Sequence, residues 1–344
     1  MKIFKKIIWN ILLFLLEIWV IYFFLKGVHE RLLDPTLNSD IKYYKWFVEA
    51  FPTLYKNQEG EYLKIVYLPY FYWLFLPWYP ISNDVLFYYF TTINLIGLIS
   101  LLIASRFVSE ELTIITRVIF GIVGFHLGLW ANVETMITAG YIILYTIFSY
   151  HKNKINGKSF ERMILIYGSI VSFLGFKLIP LIFSLIFIVD LINHSDLRLS
   201  LYRIGKFTFG MVLIQLILNS YFFIINPEFR NIVFWIDVYK NQPVSTWFQF
   251  LARPSVTIPL VYPIIKVQQN LYKTLIYLKQ NNLENMNLKF KKSISYSIIN
   301  IPFIIFLITK MPIELIFLFG LLYIHDLLIF LFILRKRIKL LRNK

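Results

Sequence analysis

The chain has 344 residues, of which 58% are hydrophobic, 19% aromatic and only 16% charged, and its mean hydropathy is +0.65. Soluble domains are about 45–50% apolar and about 25% charged, so this composition excludes an ordinary soluble protein and predicts an all-α integral membrane protein. The lack of cysteine excludes disulfides, thiolate nucleophiles and thiolate metal sites.

The formal net charge of +16 comes from basic residues that stand in short clusters between apolar segments. Such clusters are typical of the positive-inside rule, and they also attract anionic lipids. Nucleic-acid binding is the other interpretation of a basic chain, and this distribution disfavours it. We therefore expect a membrane bilayer with anionic lipids as a partner, and no nucleic acid.

The first predicted helix covers about 7–26 and follows three lysines, Lys2, Lys5 and Lys6. It is too long for a signal peptide and has no small-residue cleavage site, so it should remain and lead the chain outward. An outer loop with short amphipathic helices follows at 27–62. Further spans are predicted at about 84–104, 112–129, 132–149, 163–176, 178–193, 207–226, 255–270, 295–309 and 314–334.

About ten crossings of the cell membrane, with both termini in the cytoplasm, place the basic clusters on the inner side. The aromatic segment 62–80 contains three prolines, and it is either an eleventh crossing or a helix half-embedded at the outer interface, where Tyr and Trp prefer to lie. A second long outer loop is expected at 227–254. No internal repeat or linker is evident, so we predict a single domain over 1–344.

The outer segments carry the candidate chemistry. Asp40, in NSDIKYY, lies at the start of a possible amphipathic helix. It is either a carboxylate that stabilises a helix start or a working acid–base group, because carboxylates beside a bilayer are costly unless they are paired or functional. Glu134, in LWANVETM beside Asn132, is likewise either paired or lines a polar cavity.

Lys177 is the lone cation of a predicted tight outer hairpin, against the positive-inside bias. A lysine at a helix end can simply extend its ammonium group to the membrane surface. A phosphate ligand would explain why this lysine stands on the predicted outer side. The loop at 227–254 adds Asn241, Gln242, Ser245 and Arg253, which suit a hydroxyl-rich ligand or a plain surface connector.

The ionisable residues inside apolar segments show no metal-ligand spacing, so we expect no metal and no cofactor. They are either structural or a proton or ion relay, and they are His126, Glu314, His325 and Asp326.

Taken in chain order, the predicted helices, loops and turns resemble those of the polyprenyl-phosphate-sugar-dependent glycosyltransferases of family 87, in the GT-C superfamily. The resemblance covers about 1–255 and includes the outer Asp followed by Tyr, the aromatic segment Tyr67-Leu-Pro69 to Pro77, and the lysine-proline element FKLIP. A polar turn and an NQS-type loop complete it. The turn reads ANVE where the family often has GQVN, and Ser245 lies two residues later than in the family.

The resemblance implies a GT-C-type bundle that transfers a hexose, most often mannose, from a polyprenyl-phosphate-sugar donor to a lipid-linked or glycolipid acceptor outside the cytoplasm. It implies inversion at the anomeric carbon without an obligatory metal. Asp40 would be the general base. The phosphate would contact Lys177 and Arg253. The sugar or acceptor would contact Tyr43, Tyr44, Asn132, Glu134, Asn241, Gln242 and Ser245.

Two alternatives remain: a transporter or flippase of polyprenyl lipids, and a non-catalytic subunit of a membrane complex. Transporters often contain inverted repeats and broken helices near the bilayer midplane. This chain shows no repeat, and its polar residues gather toward the predicted outer rim. ANVE in place of GQVN is compatible with a non-catalytic subunit.

Overall fold

The computed structural model describes residues 2–34, 40–51, 68–154, 157–175, 183–192, 196–231, 252–280, 282–307 and 313–342. About 90% of this part is helical and contains no strand, which confirms the all-α prediction. The helices are α1 Lys2–Leu33, α2 Ile41–Glu49, α3 Phe71–Phe75, α4 Asn83–Ser105, α5 Glu110–Trp130, α6 Glu134–Lys154, α7 Gly157–Leu174, α8 Ser184–Leu191, α9 Leu197–Ile225, α10 Pro254–Lys279, α11 Leu283–Leu307 and α12 Ile313–Arg342; two 3₁₀ turns are Leu76–Trp78 and Pro227–Arg230.

Five helical segments of the described chain are long and apolar enough to cross a membrane: Ile7–Leu33, Asn83–Ser105, Glu110–Trp130, Leu197–Ile225 and Ile316–Lys336. Each overlaps a predicted span, although α1 continues to Leu33 instead of ending at about 26, and α9 begins at Leu197 instead of at about 207. The described chain therefore has helices that suit a multi-pass membrane protein. The helices α6, α7, α10 and α11 also lie at predicted spans but are not among these five segments. Helix α8 has only 8 residues, and the start of its predicted span lies outside the described residues. The number of crossings therefore stays a prediction.

The described part of the aromatic segment 62–80 contains no helix long enough to cross a bilayer. Helix α3 has 5 residues and the 3₁₀ turn that follows has 3. Five residues of α-helix rise only about 7.5 Å, against a hydrocarbon core of about 30 Å. The described residues 68–80 therefore do not form a crossing helix by themselves, and the choice between the two interpretations stays a prediction.

The chain divides into two compact units. Unit 1 consists of Met1–Ser184, Gly205–Pro243 and Leu251–Ile258, and unit 2 of Leu185–Ile204, Val244–Phe250 and Pro259–Lys344. The single-domain organisation stays a prediction. All the candidate site residues that the structure describes belong to unit 1.

In unit 1, α1 packs against α5 with close backbone contact because glycines line the crossing. A Cβ atom added to Gly27 would lie 1.8 Å from the Phe125 carbonyl oxygen, and one added to Gly128 would lie 2.2 Å from that of Phe24. Small residues let membrane helices approach closely, since lipid supplies no hydrophobic drive for association between helices. The glycines therefore fix how α1 and α5 cross.

An ion-pair cluster, in which Arg117 is buried and Arg106 is exposed, joins the same two helices to the end of α4. Arg117 of α5 is fully buried and donates to the Glu17 carboxylate, and Arg106 pairs with that carboxylate as well. The guanidinium of Arg117 also donates to Ser105 Oγ at 2.9 Å and to the Leu102 carbonyl at 2.7 Å. Charged groups inside a membrane protein pair with one another and with carbonyl groups, as this cluster does.

Unit 2 has its own small core, formed by Val267, Leu271, Phe290 and Ile333. These residues come from α10, α11 and α12, so the three helices pack together at this level.

Candidate functional site

The start of α2, in the predicted first outer loop, is attached to the turn between α5 and α6. Asp40 stands at the N-cap of α2, and its backbone N–H donates to the Trp130 carbonyl oxygen at 2.9 Å. Its side chain makes no capping hydrogen bond to the helix. The structure thus does not show the capping role that a plain helix-start carboxylate would have.

Helix α2 is amphipathic, and its buried face holds it on that turn. Ile41, Tyr44, Phe47 and Val48 are buried. The Tyr44 hydroxyl accepts a hydrogen bond from the backbone N–H of Val133 at 3.3 Å. Burial of these apolar groups supplies the main stabilisation of so short a helix, because nine residues are too few for a stable isolated helix. What the structure shows for Tyr44 is a positioning role.

The aromatic rings around Tyr44 extend this attachment to α3 and α4. Its ring centroid lies 5.7 Å from that of Phe71, 5.4 Å from Phe75 and 5.6 Å from Phe90. Tilted and edge-to-face pairs at these separations add about 0.5–1.5 kcal/mol each beyond the burial of area. Lys45 Nζ also donates to the Ile81 carbonyl at 2.7 Å, which ties α2 to the chain just before α4.

The adjacent side of α2 carries the half-buried Tyr43. The Tyr43 ring lies 5.4 Å from Trp46 in an edge-to-face arrangement, and the Lys42 ammonium lies 5.3 Å from the Tyr43 ring centroid. An aromatic face with a cation beside it suits a sugar ring or a phosphate-bearing ligand.

The α5–α6 turn is shaped by an unusual backbone conformation. Ala131 has φ 49° and ψ 41°, which is left-handed and the only positive φ at a non-glycine residue in the described part of the chain. This conformation ends α5 as a C-cap and is usually adopted by glycine or asparagine. Asn132 Oδ1 then accepts the Glu134 backbone N–H at 2.9 Å and so begins α6.

Glu134 connects this turn to the start of α10. Its side chain is only 2% exposed, and the fully buried Ser255 hydroxyl donates to its carboxylate oxygen Oε2. A buried carboxylate is costly unless it is hydrogen-bonded, so this bond matters to the local structure. Of the two readings of Glu134, the structure shows the paired one. Arg253 precedes Ser255 by two residues, and its backbone carbonyl accepts the N–H groups of Val256 and Thr257.

The structure therefore brings together three segments that are distant in sequence: the start of α2 with Asp40, the turn with Asn132 and Glu134, and the start of α10 with Ser255. Ser255 was not among the residues predicted from sequence. The residues predicted at Lys177, Asn241, Gln242 and Ser245 lie outside the described part of the chain.

A second polar network, also not predicted, anchors the aromatic segment to α7 and α9. The Tyr70 hydroxyl donates to the Phe173 carbonyl at 2.6 Å, and the Tyr70 N–H donates to Asn219 Oδ1 at 3.1 Å. Asn219 Nδ2 donates to Gln215 Oε1 at 2.8 Å, and Gln215 Nε2 donates to the Ser172 carbonyl at 2.8 Å. Burial raises the pKa of Tyr70, so its hydroxyl stays protonated and remains a donor.

Two sequence signals point to this network. Gln215 and Asn219 are spaced by four in an otherwise apolar helix and so lie on one face. Neutral polar side chains inside membrane helices bond to neighbouring helices.

Among the described residues, no three His, Asp or Glu side chains form a group that could hold a metal. Comparison of the chain with protein-family models, with curated proteins and with solved structures found no match.

Proposed function

We propose that the protein is a membrane glycosyltransferase that transfers a hexose, most simply mannose, from a polyprenyl-phosphate donor to a lipid-linked or glycolipid acceptor. The observation that carries the proposal is the attachment of Asp40 to the turn that holds Asn132 and Glu134, since the Asp40 N–H bonds the Trp130 carbonyl at 2.9 Å. The acid–base candidate of the first outer loop thus meets a second polar segment at one place. A reacting centre needs such convergence, because base and leaving-group contacts must reach the same carbon.

In the proposed reaction, the Asp40 carboxylate takes the proton of the acceptor hydroxyl. That oxygen attacks the anomeric carbon from the face opposite the phosphate, the bond between this carbon and the phosphate oxygen breaks, and polyprenyl phosphate leaves. A positioned general base contributes about 10²–10⁴-fold to such a step. Asp40 is partly exposed, so an acceptor can reach its carboxylate.

The departing phosphate carries negative charge that a fixed cation stabilises. We assign this role to Lys177 and to Arg253, the latter adjoining the described site through Ser255. One carboxylate suffices because a phosphate is already a good leaving group, whereas glycosidases need a second carboxyl group to protonate an alcohol. Tyr43, Asn241, Gln242 and Ser245 are proposed to contact the sugar or acceptor.

Asn132, Glu134 and Tyr44 are proposed to hold the site in shape. Their side chains bond the backbone of the turn or, for Glu134, the Ser255 hydroxyl. Rigid neighbours keep the base in position relative to the acceptor. Correct position increases the reaction rate more than an additional loose contact does.

The backbone conformation of Ala131 supports the resemblance to family 87. Ala131 stands where the family pattern GQVN has glycine, and its φ of 49° is the conformation that favours glycine. We accordingly propose a GT-C-type bundle of ten or eleven crossings, in the cell membrane, with both termini in the cytoplasm.

The test is an assay of sugar transfer with the purified protein in proteoliposomes. Polyprenyl-phosphate donors carrying radiolabelled mannose, glucose or galactose are supplied with a lipid extract from the host membrane, and empty liposomes serve as the control. We expect one labelled sugar to enter a new glycolipid with release of polyprenyl phosphate. Label that changes leaflet while remaining on its polyprenyl phosphate would instead identify a flippase and contradict the proposal.

A further inference from the structure

Helix α12 carries a stripe of exposed apolar side chains along one face. Its opposite face is buried in unit 2, where Ile333 belongs to the small core and Asp326 is buried as well. The members of the stripe are Phe317, Leu321, Ile324, Leu328 and Leu331, each 49–68% exposed. Their spacings alternate between four and three residues, which is the pattern by which two helices pack along a left-handed seam.

His325 lies beside this stripe and makes lipid an unfavourable neighbour for it. The residue is next to the middle of the 21-residue segment Ile316–Lys336, which is apolar and long enough to cross a membrane. Its side chain is 62% exposed, and its Nδ1 lies 3.3 Å from Asp326 Oδ1. The other ring nitrogen, Nε2, makes no hydrogen bond to any residue that the structure describes. Ionisable groups at this depth face protein or a water-filled cavity because lipid cannot solvate them.

Exposed hydroxyl groups in the other long apolar helices are satisfied within their own helix. The Thr92 hydroxyl donates to the Tyr88 carbonyl at 2.8 Å, and the Ser220 hydroxyl donates to the Ile217 carbonyl at 2.9 Å. Histidine Nε2 lies at the end of the ring that is far from its own backbone, so it needs a partner on a neighbouring helix. Histidine is one of the side chains that bond across helices in membranes.

We propose that this stripe, with His325, is the contact between two copies of the chain, whose α12 helices pack in parallel. Two copies in one membrane have the same orientation, so equivalent residues lie at the same depth. Gly320 and His325 flank the stripe on opposite sides, at positions that face each other across a parallel left-handed pair. Each His325 therefore meets Gly320 of the second copy.

Gly320 provides the space that an imidazole ring requires. It is exposed, and a Cβ atom added to it would meet no atom of the same chain within 4 Å. The imidazolium form of the His325–Asp326 pair has a hydrogen on Nε2, which can donate to the Gly320 carbonyl of the second copy. Small residues at such contacts let two membrane helices approach closely.

This complementarity favours a second copy over a different membrane protein. One surface supplies both the bulky polar side chain and the small residue opposite it, as a two-fold symmetric contact requires. The proposal is independent of the glycosyltransferase function. It concerns α12 of unit 2, whereas every described residue of the candidate catalytic site belongs to unit 1.

The first test is disulfide cross-linking of the full-length protein in cell membranes, with copper phenanthroline as the oxidant. The chain lacks cysteine, so a single introduced thiol reports on one position. Ile324→Cys lies on the stripe, where two equivalent Cα atoms should come within the roughly 7 Å that a disulfide spans. We expect a product with the mass of two chains on a non-reducing gel.

The matched control for cross-linking is Val212→Cys in α9. Val212 is 50% exposed and Ile324 is 57% exposed, and both lie in helices that are apolar and long enough to cross a membrane. Val212→Cys should give at most about one-tenth of the dimer, because its Cα atoms should not come within disulfide range.

The second test measures dimerisation in phosphatidylcholine liposomes at several protein-to-lipid ratios. The protein is labelled at an introduced Asp84→Cys, and photobleaching steps count the copies in each spot. Gly320→Leu should weaken dimerisation by at least about 10-fold, because the new side chain fills the space for His325 of the second copy. It should leave the single chain folded, since that space is open and leucine favours a helix.

The matched control for this test is Gly205→Leu in α9, which is equally open in the single chain and should change dimerisation by less than about 2-fold. His325→Leu should weaken dimerisation by about 3–10-fold through loss of one interhelical hydrogen bond. His325→Gln keeps a polar group and should restore most of that loss.

Three results would overturn the proposal. Single copies at every protein-to-lipid ratio would show that lipid covers the stripe. Equal dimerisation of Gly320→Leu and wild type, or equal cross-linking of Val212→Cys and Ile324→Cys, would place any dimer contact elsewhere. A cross-linked product of Ile324→Cys with another protein would show that a different subunit covers the stripe.

Discussion

Ala131 is held in a left-handed conformation that costs an L-residue about 1–2 kcal/mol, and this strain lies in the turn to which Asp40 is attached. Glycine adopts the same conformation without the clash of a Cβ atom. The alanine therefore reduces stability at the position where the proposed site needs a fixed turn.

Replacing this residue tests the backbone assignment. Ala131→Gly should raise the free energy of unfolding by up to about 1 kcal/mol, because the relief of the left-handed clash exceeds the added chain entropy. Thermal unfolding in detergent, followed by tryptophan fluorescence, measures it. The control Ala104→Gly lies in the last turn of helix α4, where no left-handed conformation is relieved, and should not raise stability. Destabilisation by both changes would show that the turn is not left-handed.

Breaking the ion pair between Glu17 and Arg117 should lower the free energy of unfolding, whereas Ala131→Gly should raise it. Glu17→Gln removes the charge that balances a fully buried guanidinium, and breaking such a pair costs about 3–5 kcal/mol. Glu30→Gln removes the same charge from the same helix and should change stability by less than about 1 kcal/mol. Denaturant unfolding in mixed micelles compares the two. Equal, small effects would mean that the pair does not stabilise the fold.

At the residue scale, sequence reasoning found the groups that stand out locally and missed those defined by their partners. Asp40 and Glu134 are conspicuous because each is a carboxylate beside apolar segments. Glu17 and Arg117 are 100 positions apart, and only helix packing shows that they meet. Ser255 was missed for the same reason, since its partner Glu134 comes from another element.

At the scale of helices, the crossing of α1 and α5 depends on glycine. Gly128→Ala should lower the free energy of unfolding by about 1–3 kcal/mol, because the new methyl group would lie 2.2 Å from the Phe24 carbonyl oxygen and would push the helices apart. The comparison is again made by thermal unfolding in detergent.

The matched control is Gly205→Ala in α9. A Cβ atom there meets nothing within 4 Å, so the higher helix propensity of alanine should raise stability by about 0.5–1 kcal/mol. If Gly128→Ala were as stable as Gly205→Ala, the close approach of α1 and α5 would be contradicted.

The positions of the long helices were predictable because a run of about 20 apolar residues has the length of a membrane crossing, and a helix satisfies its backbone hydrogen bonds within lipid. The short α2 was also predictable, since its apolar residues recur at helical spacing. The glycine spacing 121, 124 and 128 in α5 is a sequence signal for close helix packing, and it needed its partner helix to be interpreted. The sequence does not decide the path of the aromatic segment, because Tyr and Trp favour an interface whereas proline is tolerated in crossings.

At the scale of the whole molecule, an extracytoplasmic site requires that the start of α4 and the end of α10 face opposite compartments. The chain lacks cysteine, so single cysteines can be labelled without background. Asp84→Cys at the start of α4 should react with a membrane-impermeant maleimide added to intact cells, because the exposed start of α4 is predicted to face outward.

Lys279→Cys at the end of α10 is the matched position on the predicted inner side, and it should react only after the membrane is opened. Labelling of both positions from the same side would contradict the topology and, with it, an extracytoplasmic site.

The transfer rate of Asp40→Asn in proteoliposomes shows whether Asp40 removes the acceptor proton. The change keeps the size of the side chain and the backbone bond to Trp130 but abolishes the base, so the rate should fall by about 10²–10⁴-fold while the thermal midpoint stays within the error of wild type. Asp84→Asn, at another exposed helix start, should keep full activity. An Asp40→Asn protein that transfers sugar at the wild-type rate would contradict the account.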